Sequence, residues 1–182
     1  TLVTPNLGTV ATGNLSNSAI VYPAGHIIQV KGAENFHNQA FDDAVDVIIE
    51  VSLTNVQASS YVSIFTSCTV NLNNADTEGF ETAIYRKATS MGSAGTAISG
   101  ATRVNATGGS SSSATFTYHG IGGNGSDPSN NLYLQTPFWC IDESPDTGTN
   151  YYVLGGSAYQ ATYPPALVHD GNCTIILMEI AQ

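Results

Sequence analysis

Apolar and polar residues alternate with a period of two along most of this chain, and no stretch carries a convincing 3.6-residue period. The clearest case is residues 45–53. There Val45, Val47, Ile49, Val51 and Leu53 alternate with Asp46, Ile48, Glu50 and Ser52, which predicts a strand with one buried face. Residues 61–72 repeat the pattern, with Val62, Ile64, Cys68, Val70 and Leu72 on one side. Residues 26–30 read as an opening strand that presents His26, Ile28 and Val30 together. Residues 35–43 are polar, with Phe36 and Phe41 as anchors. Further strands are expected over 79–87, 98–104, 114–119, 131–141 and 151–154. In the fourth of these, Pro137 marks a bulge or an edge. The closing segment, 172–181, is apolar on both faces through Ile175, Ile176, Leu177, Met178 and Ile180. It should therefore be central in its sheet or covered on both sides.

Turn signals separate these runs. Pro23 and Gly25 precede the first strand, and 73–76, 120–131, 142–150 and 159–170 are rich in Gly, Asn, Asp, Pro or Tyr. Residues 88–113 shift to Gly, Ser, Ala and Thr, and the serine run 110–113 has no packing capacity. Roughly eight or nine short strands without helices predict an all-β fold, an antiparallel β-sandwich of jelly-roll type. Residues 1–21 space Leu2, Leu7 and Leu15 with Gly, Pro, Asn and Thr, and alone could bury little. They are read as an extended N-terminal arm, and 22–182 as the globular domain.

Composition narrows the function. Apolar residues make up 42% of the 182, enough for a core, but charged residues are only 10%, so Ser, Thr, Asn, Gln and Gly must supply the polar surface. The net charge is −10, and Lys31, Arg86, Lys87 and Arg103 are the only lysines and arginines. No basic footprint for nucleic acid exists, anionic membranes are disfavoured, and no apolar run reaches bilayer length. Cys68, Cys140 and Cys173 form no CxxC pair. Cys68 and Cys140 lie in apolar strand patterns, so three reduced thiols are expected, with one disulfide as the alternative. Residue 1 is Thr, which reads as a processed piece or a fragment of a longer chain.

Three stretches carry a family resemblance. Thr4-Pro5-Asn6-Leu7-Gly8-Thr9 looks like the Thr-Pro-x-Leu-Gly-Thr repeats of phage fibres. Tyr22-Pro23-Ala24-Gly25-His26-Ile27-Ile28-Gln29-Val30 is similar to an opening strand, and Thr174-Ile175-Ile176-Leu177-Met178-Glu179-Ile180-Ala181 to a closing strand, of structural proteins from tailed bacteriophages, especially phages of marine bacteria. Tyr85-Arg86-Lys87 followed by Ala97-Ile98-Ser99-Gly100, and residues 142–152, also resemble that family. The resemblance implies a β-sandwich virion component of a tail fibre or capsid knob, trimeric and non-enzymatic, with no catalytic residues to carry over. The expectation is a homotrimer joined to other virion proteins through residues 1–21 and contacting a host surface glycan or protein. The alternatives are a capsid decoration or cement protein and, more remotely, a glycan depolymerase.

Candidate chemistry adds little. Asp142, Glu143 and Asp146, and likewise Asp42, Asp43 and Asp46, cluster as carboxylate pairs do in glycosidases, but turns favour Asp for local hydrogen bonds. The structural reading is preferred; neither a metal nor a cofactor is expected. His26, His37, His119 and His169 have no metal-ligand spacing, and no serine lies in a GxSxG elbow. Loop aromatics that could stack on sugars are the expected binding residues: Tyr159, Tyr163 and Tyr118, with His119 beside them. Trp139 and Tyr133 sit in strands and are expected to pack in the sandwich or at a subunit interface.

Overall fold

A computed structural model describes residues 22–41, 44–72, 80–104, 132–158 and 167–182. Eight strands follow one another: β1 (Ile27–Phe41), β2 (Asp46–Val56), β3 (Ser60–Leu72), β4 (Phe80–Lys87), β5 (Thr102–Val104), β6 (Leu132–Asp142), β7 (Gly148–Ala158) and β8 (Leu167–Ala181). Among the described residues there is no helix. The strands form two four-stranded antiparallel sheets, sheet A in the order β1-β8-β3-β6 and sheet B in the order β2-β7-β4-β5. One apolar cluster joins them. Val62, Ile64, Cys68, Cys140, Ile175 and Leu177 from sheet A meet Leu53, Ile84, Tyr152 and Leu154 from sheet B. Full burial of each such aliphatic side chain contributes about 1.5–3 kcal/mol.

The expected alternation in β3 holds, with Val62, Ile64 and Cys68 buried on the inner face; in β8, Ile175 and Leu177 are buried on that face. β8 is central, between β1 and β3, as its two apolar faces suggested. β2 departs from the expected pattern. A register shift between Val47 and Ile49 places Val47 in a second cluster, outside sheet B, with Met91 and Val153. Such a bulge inserts a residue and reverses which side chains face the core. β1 is also longer than expected: it runs through the polar stretch to Phe41, paired with β8 from Ile27↔Ile180 to Phe41↔Leu167.

The outer face of sheet B is covered by the β4–β5 connection, residues 88–101. Ile98, Ala101 and Met91 pack against Val47, Val153, Tyr85 and Tyr151. The connection also pairs with the β2 edge, through Val47 N to Thr96 O (2.9 Å), Gly95 N to Val47 O (2.9 Å) and Ile98 N to Val45 O (2.7 Å). The Glu50 carboxylate anchors its start, accepting from Ser90 Oγ (2.7 Å) and Met91 N (2.6 Å). Gly155 makes this fit feasible, because a Cβ there would lie 2.7 Å from Ile98 Cδ1 and 2.9 Å from Tyr85 Cε2.

The expectation of three reduced thiols is corrected. Cys68 and Cys173 are directly opposed on β3 and β8 and joined as a disulfide, and only Cys140 is free. Sequence spacing could not show this pairing, which depends on the register of strands separated by 105 residues. Near the other end of β8, Glu179 is fully buried yet satisfied. It accepts from Gln29 Nε2 (2.5 Å), Gln57 N (2.7 Å) and Ser60 Oγ (2.8 Å), pinning the β2–β3 turn to β1 and β8. Asn55 and Ser59 hold positive φ there.

Candidate functional site

The two sheets differ in what covers them. Sheet B has the 88–101 connection on its outer face; on sheet A, among the described residues, nothing comparable lies over the outer face. Register places Gly32, Ile176, Phe65 and Trp139 side by side across its four strands. Phe65, Trp139 and Ile176 are each about two-fifths to one-half exposed, at 42%, 53% and 39%. Val30 and Phe36 extend the patch along β1, and half-buried Met178 and Ile180 continue it along β8. The rings of Phe65 and Trp139 lie 6.1 Å apart, and Trp139 Nε1 donates to Ser63 Oγ at 2.9 Å. That bond fixes the indole over a buried serine and leaves its ring outward. Along this face the Glu34 carboxylate accepts from Asn172 Nδ2. A large apolar patch on a folded domain marks a contact surface far more often than a random exposure.

A second feature lies where β6 turns into β7. Asp142, buried at the end of β6, accepts from Arg86 Nη1 at 2.5 Å and from Tyr152 Oη at 2.9 Å. Arg86 Nη1 also donates to Ser144 O at 2.6 Å, and Arg86 Nε is 3.5 Å from Asp146 Oδ2. Burial opposes the charge of the guanidinium, but the hydrogen bond and charge of Asp142, with Asp146 and Tyr152, outweigh it and raise the Arg86 pKa. Burial first, and then Asp142, hold the Tyr152 phenol protonated well above its ordinary range. The same two causes push the Cys140 thiol up to about 12. This cluster braces the β6–β7 turn against sheet B, with the Asp142 carboxylate bonded to the Arg86 guanidinium and the Tyr152 hydroxyl.

Tyr118, His119, Tyr159 and Tyr163 lie outside the described residues, as do Asp42 and Asp43. His26 is exposed before β1, its ring stacked 5.0 Å from that of Tyr22. Among the described residues no three His, Cys, Asp or Glu side chains converge as a metal site would require. Of the carboxylates of 142–146, Asp142 turns inward to Arg86, exposed Asp146 reaches the same guanidinium at 3.5 Å, and Glu143 faces solvent. Trp139 was singled out by sequence, but its partners Phe65 and Ile176 were not; an apolar residue among the outward positions of an alternating strand was the available signal. Arg86 carried no signal as a buried partner, because its carboxylate is 56 residues away.

Comparison with known proteins gives no match to any family model and no significant similarity to a curated protein.

Proposed function

We propose that this chain is a non-enzymatic virion structural domain of jelly-roll topology that assembles as a homotrimer through the outer face of sheet A and presents its loops to a host surface. The observation that carries this reading is the exposed apolar row of Ile176, Phe65 and Trp139 across the middle of a sheet face. The chain has a net charge of −10, so copies repel one another generally. Apolar burial at the middle of the outer face of sheet A is what could offset that repulsion. The contrast with sheet B, whose outer face is covered from within the chain, supports a covering supplied by other copies. The strand orders β1-β8-β3-β6 and β2-β7-β4-β5 support the jelly roll, an eight-stranded arrangement that recurs in viral capsid and lectin domains. Fold alone does not carry function; the phage assignment and the number three rest on the sequence resemblance, in which residues 1–21 join the domain to other virion proteins.

The test is a light-scattering mass at micromolar concentration. A trimer of the 19.0 kDa chain is expected, and Phe65→Glu or Trp139→Glu should reduce it to a folded monomer. A wild-type chain that is monomeric under these conditions refutes the assembly reading.

A further inference from the structure

Two clefts meet at the β6–β7 turn and share Ile141, Glu143 and Ser144. One, of about 250 Å³, reaches back to Arg86, Thr102 and Arg103. The other, of about 370 Å³, reaches Tyr61 and Gln182. Each is near the lower end of the small-molecule range of about 300–1,000 Å³. The pairing of Val62 with Asp142 brings Tyr61, one residue earlier on β3, opposite Glu143.

The floor of this groove is fixed before any ligand arrives. Asp142 holds Arg86 and Tyr152, and the Ser144 carbonyl is bonded to the same guanidinium. Such preset polar groups lose little freedom on binding. The rim differs. The Glu143 carboxylate and the Ser144 and Tyr61 hydroxyls make no hydrogen bond to any described residue. Arg86 Nε, at the buried end, makes no hydrogen bond either, only its 3.5 Å ion-pair contact with Asp146. The groove therefore offers unspent acceptors and donors in close alternation, beside an apolar wall of Ile141 and the Tyr61 ring.

A ligand that matches must both donate and accept at neighbouring atoms and carry an apolar face. Vicinal hydroxyls of a pyranose do this: each O–H can donate to Glu143 while its oxygen accepts from Ser144 or Tyr61, and the ring C–H face lies on an aromatic. We propose that this groove is a binding site for neutral, pyranose-based glycans. Acidic sugars fit less well. The charge of Arg86 is already committed to Asp142, Arg103 lines only the cleft away from Tyr61, the cleft of Tyr61 and Glu143 has no cation in its lining, and the whole chain repels anions.

This site uses none of the loop aromatics named from the sequence and does not depend on trimer formation. Tyr61 is four residues from Phe65 along β3, roughly 13 Å at ~3.3 Å per residue, toward one end of the exposed face. The test is saturation-transfer NMR on the full chain with neutral oligosaccharides of glucose, galactose, mannose and N-acetylhexosamines, and with sialylated and sulfated counterparts. A neutral oligosaccharide is expected to bind, and Glu143→Gln and Tyr61→Ala should each weaken its Kd about tenfold or more at unchanged Tm. Glu143 is exposed, so its variant reports on binding even if Tyr61→Ala disturbs the fold. The Phe65→Glu chain should bind the same sugar, which separates failure of this site from failure of assembly. No transfer from any neutral sugar at millimolar concentration, binding of acidic sugars alone, or undiminished binding by Glu143→Gln would overturn the proposal.

Discussion

Arg86→Leu should be among the more damaging single substitutions in this chain, although it adds apolar surface. In the native fold the side chains of Arg86 and Asp142 are only 10% and 9% exposed. Leucine removes the 2.5 Å bond to Asp142 and also the donor that satisfies Ser144 O. Asp142 would retain the Tyr152 hydroxyl at 2.9 Å and the Ser144 amide at 3.2 Å, two neutral donors for a buried carboxylate. Removing one partner of a buried ion pair costs about 3–5 kcal/mol, because the other charge stays buried and uncompensated. For a domain of this size that lowers Tm by about 6–20 °C. The assay is urea unfolding followed by circular dichroism, with an unchanged m-value showing that only the native state was altered. The double variant Arg86→Leu/Asp142→Val separates pairing from packing. With both charges gone it should be more stable than the sum of the two single losses requires, with a coupling of about 1–3 kcal/mol. A loss below about 1 kcal/mol for Arg86→Leu, or strict additivity in the double variant, would refute the claim that this pair braces the β6–β7 turn.

Three further outcomes follow from single groups. Thr66 is buried on the inner face of β3 and its Oγ1 has no hydrogen-bond partner, so Thr66→Val should raise stability by about 1–2 kcal/mol in the same urea assay; a loss would mean the hydroxyl is satisfied. Gly155→Ala places a methyl against the Tyr85 ring and Ile98, and should cost about 1–3 kcal/mol and increase proteolysis within residues 88–101; a neutral result would show that the connection yields freely. The Cys140 thiol is raised from 9.0 to about 12, so the folded state keeps a proton that the unfolded chain releases near pH 9. Its contribution is complete below that pH and is lost as pH rises toward 12, at about 1.4 kcal/mol per pH unit. Cys140→Ala should unfold with a shallower alkaline dependence than wild type, and equal slopes between pH 9 and 11 would contradict this.

Much of the fold was legible because two-residue alternation is a local signal. Val62, Ile64 and Cys68 share a face whatever β3 pairs with, and the doubly apolar 172–181 segment could hardly be an edge. Features that depend on pairing were not legible. The bulge beside Val47 inverts that residue's side, and nothing in the run of Val and Ile marks it. Residues 35–41 look like a loop by composition, yet β8 recruits them into β1, a case of tertiary context overriding propensity. The Cys68–Cys173 bond and the Arg86–Asp142 pair join residues 105 and 56 positions apart, which only strand register can bring together. The shift to Gly, Ser, Ala and Thr after residue 88 gives no sign of a covering segment, yet Met91 and Ile98 are enough to cover sheet B once Gly155 leaves room.

The strand order also bears on how the chain can be made. In sheet A, β8 is the shared neighbour of β1 and β3; in sheet B, β7 is the shared neighbour of β2 and β4. During vectorial synthesis, β1, β2, β3 and β4 emerge without their central partners, and only β4–β5 and then β3–β6 can pair early. Neither sheet closes until residues 148–181 have left the ribosome. Domains dominated by such long-range pairing fold slowly and expose apolar strands while they wait. A premature stop within β7 or β8 would therefore release an aggregation-prone chain rather than a smaller folded domain, and translation past residue 181 is the step at which this protein becomes able to fold.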